Sequence, residues 1–298
     1  MGAGTKPQRR ERRLFPTAAA GGRETSREMV VVSVAVEKGG AGKTTTVGNL
    51  AAALAEIKPK RRVLCLDWDP QANLTRWLLP EVPKDAHLAS VVDQLTAASE
   101  HVVDPHRAVH QTDWGFAILA GHRLLADRVA AVPRGMEYFI LRQVLTPLRD
   151  DYDIVLIDCP PRLDVFSLNA LAAADQLVIP IELGLFGAEG LSNTLDTVNM
   201  VRRHLNTRLS VAGIVATKAD LRTRHQEAVL AAIRQAAAQR HLRFFEPPVP
   251  QSIVLPEACY NHVPIQYYRT RNMMARQCTD VYAKIARELL KVLREEVA

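Results

Sequence analysis

The stretch Glu37-Lys38-Gly39-Gly40-Ala41-Gly42-Lys43-Thr44-Thr45-Thr46 constrains this chain more than any other. An apolar, β-branched run over residues 29–36 precedes it, and an alanine- and leucine-rich segment over 47–57 follows. Strand, glycine-rich turn and helix start, in that order, make an anion cradle. The turn and the first helical turn leave backbone N–H groups without intrachain partners. Gly39, Gly40 and Gly42 admit the conformations and close approach such a cradle needs. In a phosphate-binding loop, Lys43 pairs with the β and γ phosphates and the Thr44 hydroxyl ligates Mg2+. The usual spacing G-x-x-x-x-G-K-[ST] asks for glycine where this chain has Glu37, and Lys38 is an additional lysine at the head of the loop.

The rest of the chain alternates strand-like and helix-like patterns. Strands are expected over 29–36, 62–66, 116–119, 152–157, 176–181, 209–216 and 243–245. Helices are expected over 47–57, 88–95, 136–148, 165–173, 187–205, 226–238 and 273–297. Four prolines between residues 246 and 256 are expected to exclude helix there. The alternation predicts an α/β fold, a mostly parallel sheet with helices on both faces. Ligands in such sheets sit at the carboxyl ends of the strands. Asp158 ends a strand of Ile, Val and Leu, where a carboxylate holds the magnesium shell beside Thr44. Asp67 and Asp69 end the second strand. A carboxylate there either orients the water that attacks a γ-phosphate or caps the segment from Gln71 onward.

The net charge of +6 is unevenly placed: residues 1–28 hold seven Lys or Arg against three Glu, leaving only +2 for the other 270 residues. Residues 1–28 lack apolar periodicity and are expected to be a basic disordered tail, either an arm for nucleic acid or an extension upstream of a natural start at Met29. No apolar run reaches the roughly 18–20 residues a membrane span needs. Cys65, Cys159, Cys259 and Cys278 have no C-x-x-C spacing and read as reduced thiols of a cytosolic protein. Val281, Ile285, Leu289, Leu290 and Leu293 form a helical stripe expected to face the core.

Several motifs together carry a family resemblance. Lys38-Gly39-Gly40-Ala41-Gly42-Lys43-Thr44-Thr45-Thr46 resembles the deviant Walker A loop of the ParA/MinD P-loop NTPases. Asp67-Trp68-Asp69-Pro70-Gln71-Ala72-Asn73-Leu74-Thr75 resembles the D-x-D-P-Q-x-N-x-T segment of the ParA branch, and Tyr152 to Pro161 its Walker B segment. Gly187-Ala188-Glu189-Gly190-Leu191 and Pro250-Gln251-Ser252-Ile253-Val254-Leu255-Pro256-Glu257-Ala258 are similar to further family segments. The resemblance covers residues 29–298 as one ATPase domain.

The resemblance implies an ATPase with Mg2+ that forms a sandwich homodimer when ATP-bound. It implies catalytic Lys38, Lys43 and Asp69, with Lys38 reaching the other subunit's phosphates and Asp69 positioning water. Lys38, Gly39, Gly40, Ala41, Gly42, Lys43, Thr44, Thr45, Asp67 and Pro250 would form the nucleotide site, and Thr44, Asp67 and Asp158 the metal site. The ATP dimer would bind double-stranded DNA without sequence preference, and a ParB-like partner would stimulate hydrolysis. That places the protein in the cytoplasm, on the nucleoid, moving chromosome or plasmid DNA, with no stable membrane association. Arg202, Arg203, Arg222, Arg224, Arg269 and Arg271 are the candidate DNA contacts, Arg222 first among them. Open alternatives are a MinD-like or other cargo-positioning ATPase, and a nucleotide-gated adaptor or repressor with little turnover. Thr217-Lys218-Ala219-Asp220 also resembles a guanine-recognition motif, which leaves GTP as a second nucleotide.

Overall fold

The computed structural model describes residues 28–82, 86–96, 104–162, 164–184, 187–268 and 271–295. The expected basic tail, apart from Glu28, lies outside the described residues. Among them, one sheet holds eight strands: β1 (Val30–Val34), β2 (Val63–Asp67), β3 (Val109–Gln111), β4 (Ala117–Leu119), β5 (Ile154–Asp158), β6 (Gln176–Glu182), β7 (Ser210–Thr217) and β8 (Phe244–Phe245). Their order is β3-β4-β2-β5-β1-β6-β7-β8. All run parallel except β3, which pairs antiparallel with β4 at one edge.

The strands are rich in Val, Ile and Leu because both faces are covered. Alternate residues go to opposite cores: Leu64 and Leu66 of β2 face one, Val63 and Cys65 the other. Against the first face lie α3 (Leu88–Thr96), α4 (Leu125–Ala130), α5 (Ile140–Leu145), α6 (Val165–Ala173), α7 (Gly187–His204) and α8 (Arg224–Gln239). Against the second lie α1 (Lys43–Glu56), α2 (Asn73–Leu78), α9 (Val254–Tyr260) and α10 (Met273–Glu295). The mid-strand hydroxyl of Ser33 is fully buried and donates to Ala170 O at 3.0 Å, so the polar group in β1 is satisfied by α6. Cys65, Cys159 and Cys278 are buried free thiols and Cys259 a half-buried one.

Several expected boundaries move, each for a local reason. The first helix starts at Lys43 rather than residue 47, because Gly42 takes the left-handed N-cap position and the three threonines become the first turn. The helix expected over 136–148 shortens to α5 plus a 3-10 turn at Thr146–Leu148. Pro147 has no N–H to continue the α ladder. The proline-rich stretch 246–256 does not exclude helix throughout. α9 begins at Val254, with Pro256 in its first turn, where a backbone N–H has no intrahelical acceptor. The short elements α2, α4 and β3 have no counterpart among the expected elements, since three to six residues are too few to display a period.

The stripe of α10 is core. Val281, Ile285, Leu289, Leu290 and Leu293 are all buried, and the helix packs on α1. Among the described residues, no helix is long and apolar enough to cross a membrane. Leu289→Ala should therefore lower the unfolding free energy by about 2–5 kcal/mol, the cost of a cavity in a close-packed core. Urea denaturation followed by circular dichroism checks this. A helix whose stripe was free to meet lipid would show almost no change.

Candidate nucleotide site

β1 lies mid-sheet between β5 and β6, where successive connections diverge to opposite sides and leave a crevice at the carboxyl edge. The glycine-rich loop fills that position. Gly40 and Gly42 have φ of 76° and 81°, left-handed values that turn the loop back towards α1. Among the described residues no side chain caps α1, which leaves the first N–H groups of the helix to an anion. From the end of β7, the Thr217 hydroxyl donates to Ala41 O at 3.0 Å and braces the loop. Lys43 is buried inside it: its ammonium donates to Lys38 O at 2.8 Å and to Val36 O at 3.5 Å. Burial lowers the pKa of Lys43, against the opposing pull of Asp158 and Asp69.

The carboxylates stand beside it on neighbouring strands. Asp67 and Asp158 are register partners across β2 and β5, and Asp158 is paired on its other side with Val34 of β1. Both are fully buried. Asp67 Oδ2 accepts from the Thr75 backbone N–H and from the Thr75 hydroxyl, each at 2.7 Å. Thr75 Oγ1 in turn accepts from Gly121 N at 2.7 Å. A Cβ at residue 121 would sit 2.7 Å from Asp67 O and 2.8 Å from its Cγ, so the seat of Asp67 requires glycine opposite it. Burial, helped by the charge of Asp69, raises the Asp67 pKa to about 6 against the hydrogen bonds of Thr75.

Among the described residues, neither oxygen of Asp158 has a hydrogen-bond partner. The Thr44 hydroxyl is close enough to favour its ionised form, as is Lys43, but burial and the charges of Asp67 and Asp69 push its pKa well above the carboxylate range. Asp67 Oδ1 is likewise buried and unpartnered. Orphaned carboxylate oxygens next to a loop hydroxyl fit a hard divalent cation, whose charge would restore the ionised form. Asp69 is nearly buried, and its Oδ1 accepts from Gln71 N at 2.8 Å. Asp69 therefore caps the turn before α2 while its charge reaches Lys43 and Asp158. Trp68 between the two aspartates is locked by donating Nε1–H to Phe166 O at 2.9 Å.

At the rim, Lys38 Nζ lies 3.3 Å from Glu182 Oε2, and Lys218 Nζ 3.4 Å from Glu182 Oε1. Glu37 is exposed, its backbone N–H donating to Thr194 Oγ1 at 3.4 Å. Ala219 forms a parallel bridge with Pro250, which extends the wall from the loop through β7 to the Pro250 segment. Asp220 is gripped by Arg222 in a two-pronged pair, Nε–Oδ1 at 2.7 Å and Nη2–Oδ2 at 2.8 Å. The guanidinium holds the Asp220 carboxyl below its ordinary pKa.

The candidate DNA arginines fall into separate places. Arg222 and Arg224 follow the carboxyl end of β7, at the nucleotide edge of the sheet. Arg202 and Arg203 close α7 before β7 begins, at the opposite edge, about 25 Å away across the eight residues of β7. What reads in sequence as one basic concentration is therefore split by a strand. Arg202 is half-buried and donates Nε–H to Leu209 O at 2.6 Å, closing the α7–β7 turn, whereas Arg203 is exposed. Arg271 is exposed ahead of α10, and Arg269 lies outside the described residues. Tyr268 is buried, and Tyr267 stacks on Trp114 with centroids 4.8 Å apart, so both are engaged in packing.

Sequence reasoning brings together Lys43, Thr44, Asp67, Asp69 and Asp158. It does not single out Thr75 and Gly121, which seat Asp67, or Thr217 as a brace, or Glu182 at the rim. Thr75 and Thr217 stand inside recognisable motifs, while Gly121 and Glu182 carry no motif signal.

A family model described as an AAA domain matches residues 29–211. The chromosome-partitioning ATPase Soj of Treponema pallidum is 35% identical over 85% of this chain and 94% of its own length. The chromosome partitioning protein ParA of Caulobacter vibrioides is 31% identical over 90% of this chain and 96% of its own. The structure of a cobyrinic acid a,c-diamide synthase from Mycobacterium smegmatis with bound ADP and magnesium is similar with a TM-score of 0.71 at 30% identity, covering 89% of this chain and 96% of that one.

The raised carboxylate pKa values have a signed consequence. The nucleotide-free protein holds protons that the unfolded chain has released, so stability falls as pH rises, for Asp67 between its ordinary 3.8 and about 6. Asp158→Asn should accordingly raise the melting temperature of nucleotide-free protein at pH 8 and remove the additional stabilisation that Mg-ATP gives over ATP in chelator. Thermal unfolding of wild type and variant in these three conditions measures both.

Proposed function

The chain belongs to the ParA/Soj family of P-loop ATPases, and on that premise we propose that it is a DNA-partitioning ATPase acting on the nucleoid. ATP is its nucleotide and Mg2+ its metal. In the proposed cycle, ATP drives assembly of a homodimer with two nucleotides between the subunits. That dimer holds double-stranded DNA by charge, and a ParB-like partner stimulates the hydrolysis that resets it.

The observation that carries this reading is the division of the two loop lysines. Lys43 is buried in its own loop, whereas Lys38 extends from the same loop to the rim, at Glu182. A second cation at the mouth stands outside the cradle that holds Lys43 and is well placed to meet phosphates brought by another subunit. Charge supplied only in the dimer couples assembly to hydrolysis. Within each subunit, the free N–H groups of the loop and of α1, with Lys43, bind the β and γ phosphates. Thr44 and Asp158 would hold magnesium, with Asp67 behind them, and the ion would supply positive charge against the charge that develops on the phosphate oxygens. Asp69, oriented by Gln71, positions the water whose oxygen attacks the γ-phosphorus as the bond to the β-phosphate oxygen breaks, giving ADP and phosphate.

Two further observations support adenine and DNA over guanine and lipid. Both oxygens of Asp220 are taken up by Arg222, so this carboxylate is not presented to a guanine edge. The apolar stripe of α10 is consumed by the core. A membrane-positioning cycle would show liposome-dependent turnover, and a gated adaptor would bind ATP with scarcely any turnover.

Asp69→Ala should lower DNA-stimulated turnover by about 10²-fold or more, the range for removal of a group acting on the attacking water. The same variant should accumulate as a DNA-bound dimer in ATP, visible by sedimentation with duplex DNA; unchanged turnover would remove Asp69 from the reaction. Arg222→Ala should weaken DNA binding and reduce the salt slope by about 0.9 for each phosphate that the guanidinium no longer neutralises. ATP-dependent dimerisation, read by light scattering, should stay intact, and wild-type DNA affinity in the variant would end the assignment.

A further inference from the structure

We propose that Glu182 is a charge latch: it stores Lys38 and Lys218 at the rim of the phosphate loop, and an incoming polyphosphate displaces it. The inference rests on the nucleotide reading of this site and adds to it a third phosphate-facing cation, Lys218, and the counter-ion that restrains it.

The geometry is specific to the rim. Glu182 is the last residue of β6, the strand next to β1, so its carboxylate emerges alongside the loop. One oxygen holds Lys38 at 3.3 Å and the other Lys218 at 3.4 Å. Lys218 comes from the far side, immediately after β7, in a left-handed conformation with φ of 53° that is costly for a lysine. Its ammonium lies 3.7 Å from where a Cβ at Gly40 would be, so it sits over the loop. The nearby Asp220 is committed to Arg222 through both oxygens. Among the described residues, a single carboxylate therefore serves two ammonium groups at the mouth of an anion site.

This arrangement does two things. A carboxylate at the mouth repels the terminal phosphates of a nucleotide and occupies the cations that would otherwise receive them. It also holds Lys38 against its own subunit, so that the residue is presented to a partner only after phosphate has taken over the role of Glu182. The side chains are a quarter to a half exposed, which keeps each pair weak and the latch reversible. Glu182 is thus a positioning residue. It acts on the reaction through the two lysines.

Glu182→Gln keeps the shape and removes the charge. Calorimetric titration at low salt should show ATPγS bound about three- to tenfold more tightly than by the wild type, the combined range for two half-exposed ion pairs. AMP, which lacks the β and γ phosphates, should bind equally well to both. High salt should shrink the difference. Lys218→Met should weaken ATPγS binding by a similar factor, and Glu182→Gln added to it should give a smaller gain than alone. Unchanged or weaker ATPγS binding by Glu182→Gln overturns the latch, as does an equal gain for AMP, which would mark a general change of structure. Unchanged binding by Lys218→Met removes the third cation. Titrated at protein concentrations where light scattering still reads monomer, these affinities do not depend on dimerisation. A wild-type chain that never dimerises in ATP would therefore sink the partition cycle while leaving the latch to be judged separately.

Discussion

Burying charge at the carboxyl edge of the sheet is the constraint on which the rest of this structure depends. Lys43, Asp67, Asp69 and Asp158 are drawn from three adjacent elements and nearly withdrawn from water. Isolated ions in such a place are too costly to keep, so each is either matched or pushed towards neutrality. Lys43 is matched by loop carbonyls, Asp67 by Thr75, and Asp69 by the turn it caps. Of these four, Asp158 alone has no partner for either oxygen among the described residues. The deficit is concentrated at the one residue that faces the loop hydroxyl, and that is where a metal and a polyphosphate would restore the balance.

The surrounding fold serves this arrangement. Parallel pairing of β2, β5 and β1 brings Asp67 and Asp158 to the same rung and places the loop beside them. Trp68 pins the exit of β2 against α6, so that the residues on either side of it point consistently. Gly121 lets the end of β4 close over Asp67, and Thr217 ties the end of β7 to the loop. Neighbouring strand ends thus brace a site whose chemistry sits on two strands and a loop. The floor of the site is buried, whereas its rim, carrying Lys38, Lys218 and Glu182, is partly exposed to water, where ion pairs are weak.

Much of this is legible in the chain. The loop and Asp158 are legible because a phosphate cradle demands particular residue types in a strand, turn and helix order, whereas Asp69 is set apart from Asp67 only by the resemblance to the ParA segment. The parallel sheet follows from the alternation of apolar runs with helical periods, and the stripe of α10 from its spacing. Failures have equally local causes. Pro256 reads as a breaker in sequence, but the first turn of α9 has no use for its missing N–H. The short elements offer no period to read. Arg202 and Arg222, both candidate DNA contacts, flank one strand in the sequence, and that strand carries them to opposite ends of the sheet.

The sequence by itself determined the fold class and the phosphate-loop chemistry, because both are written in local patterns: periodicity for the sheet and helices, and contiguous residue types for the cradle. Only the tertiary structure decided which charges face one another. Glu182 lies 144 residues from Lys38 and 36 from Lys218, and Gly121 lies 46 from the Thr75 that it binds. Electrostatic and steric partnerships of that span depend on strand order and register, which no local pattern encodes.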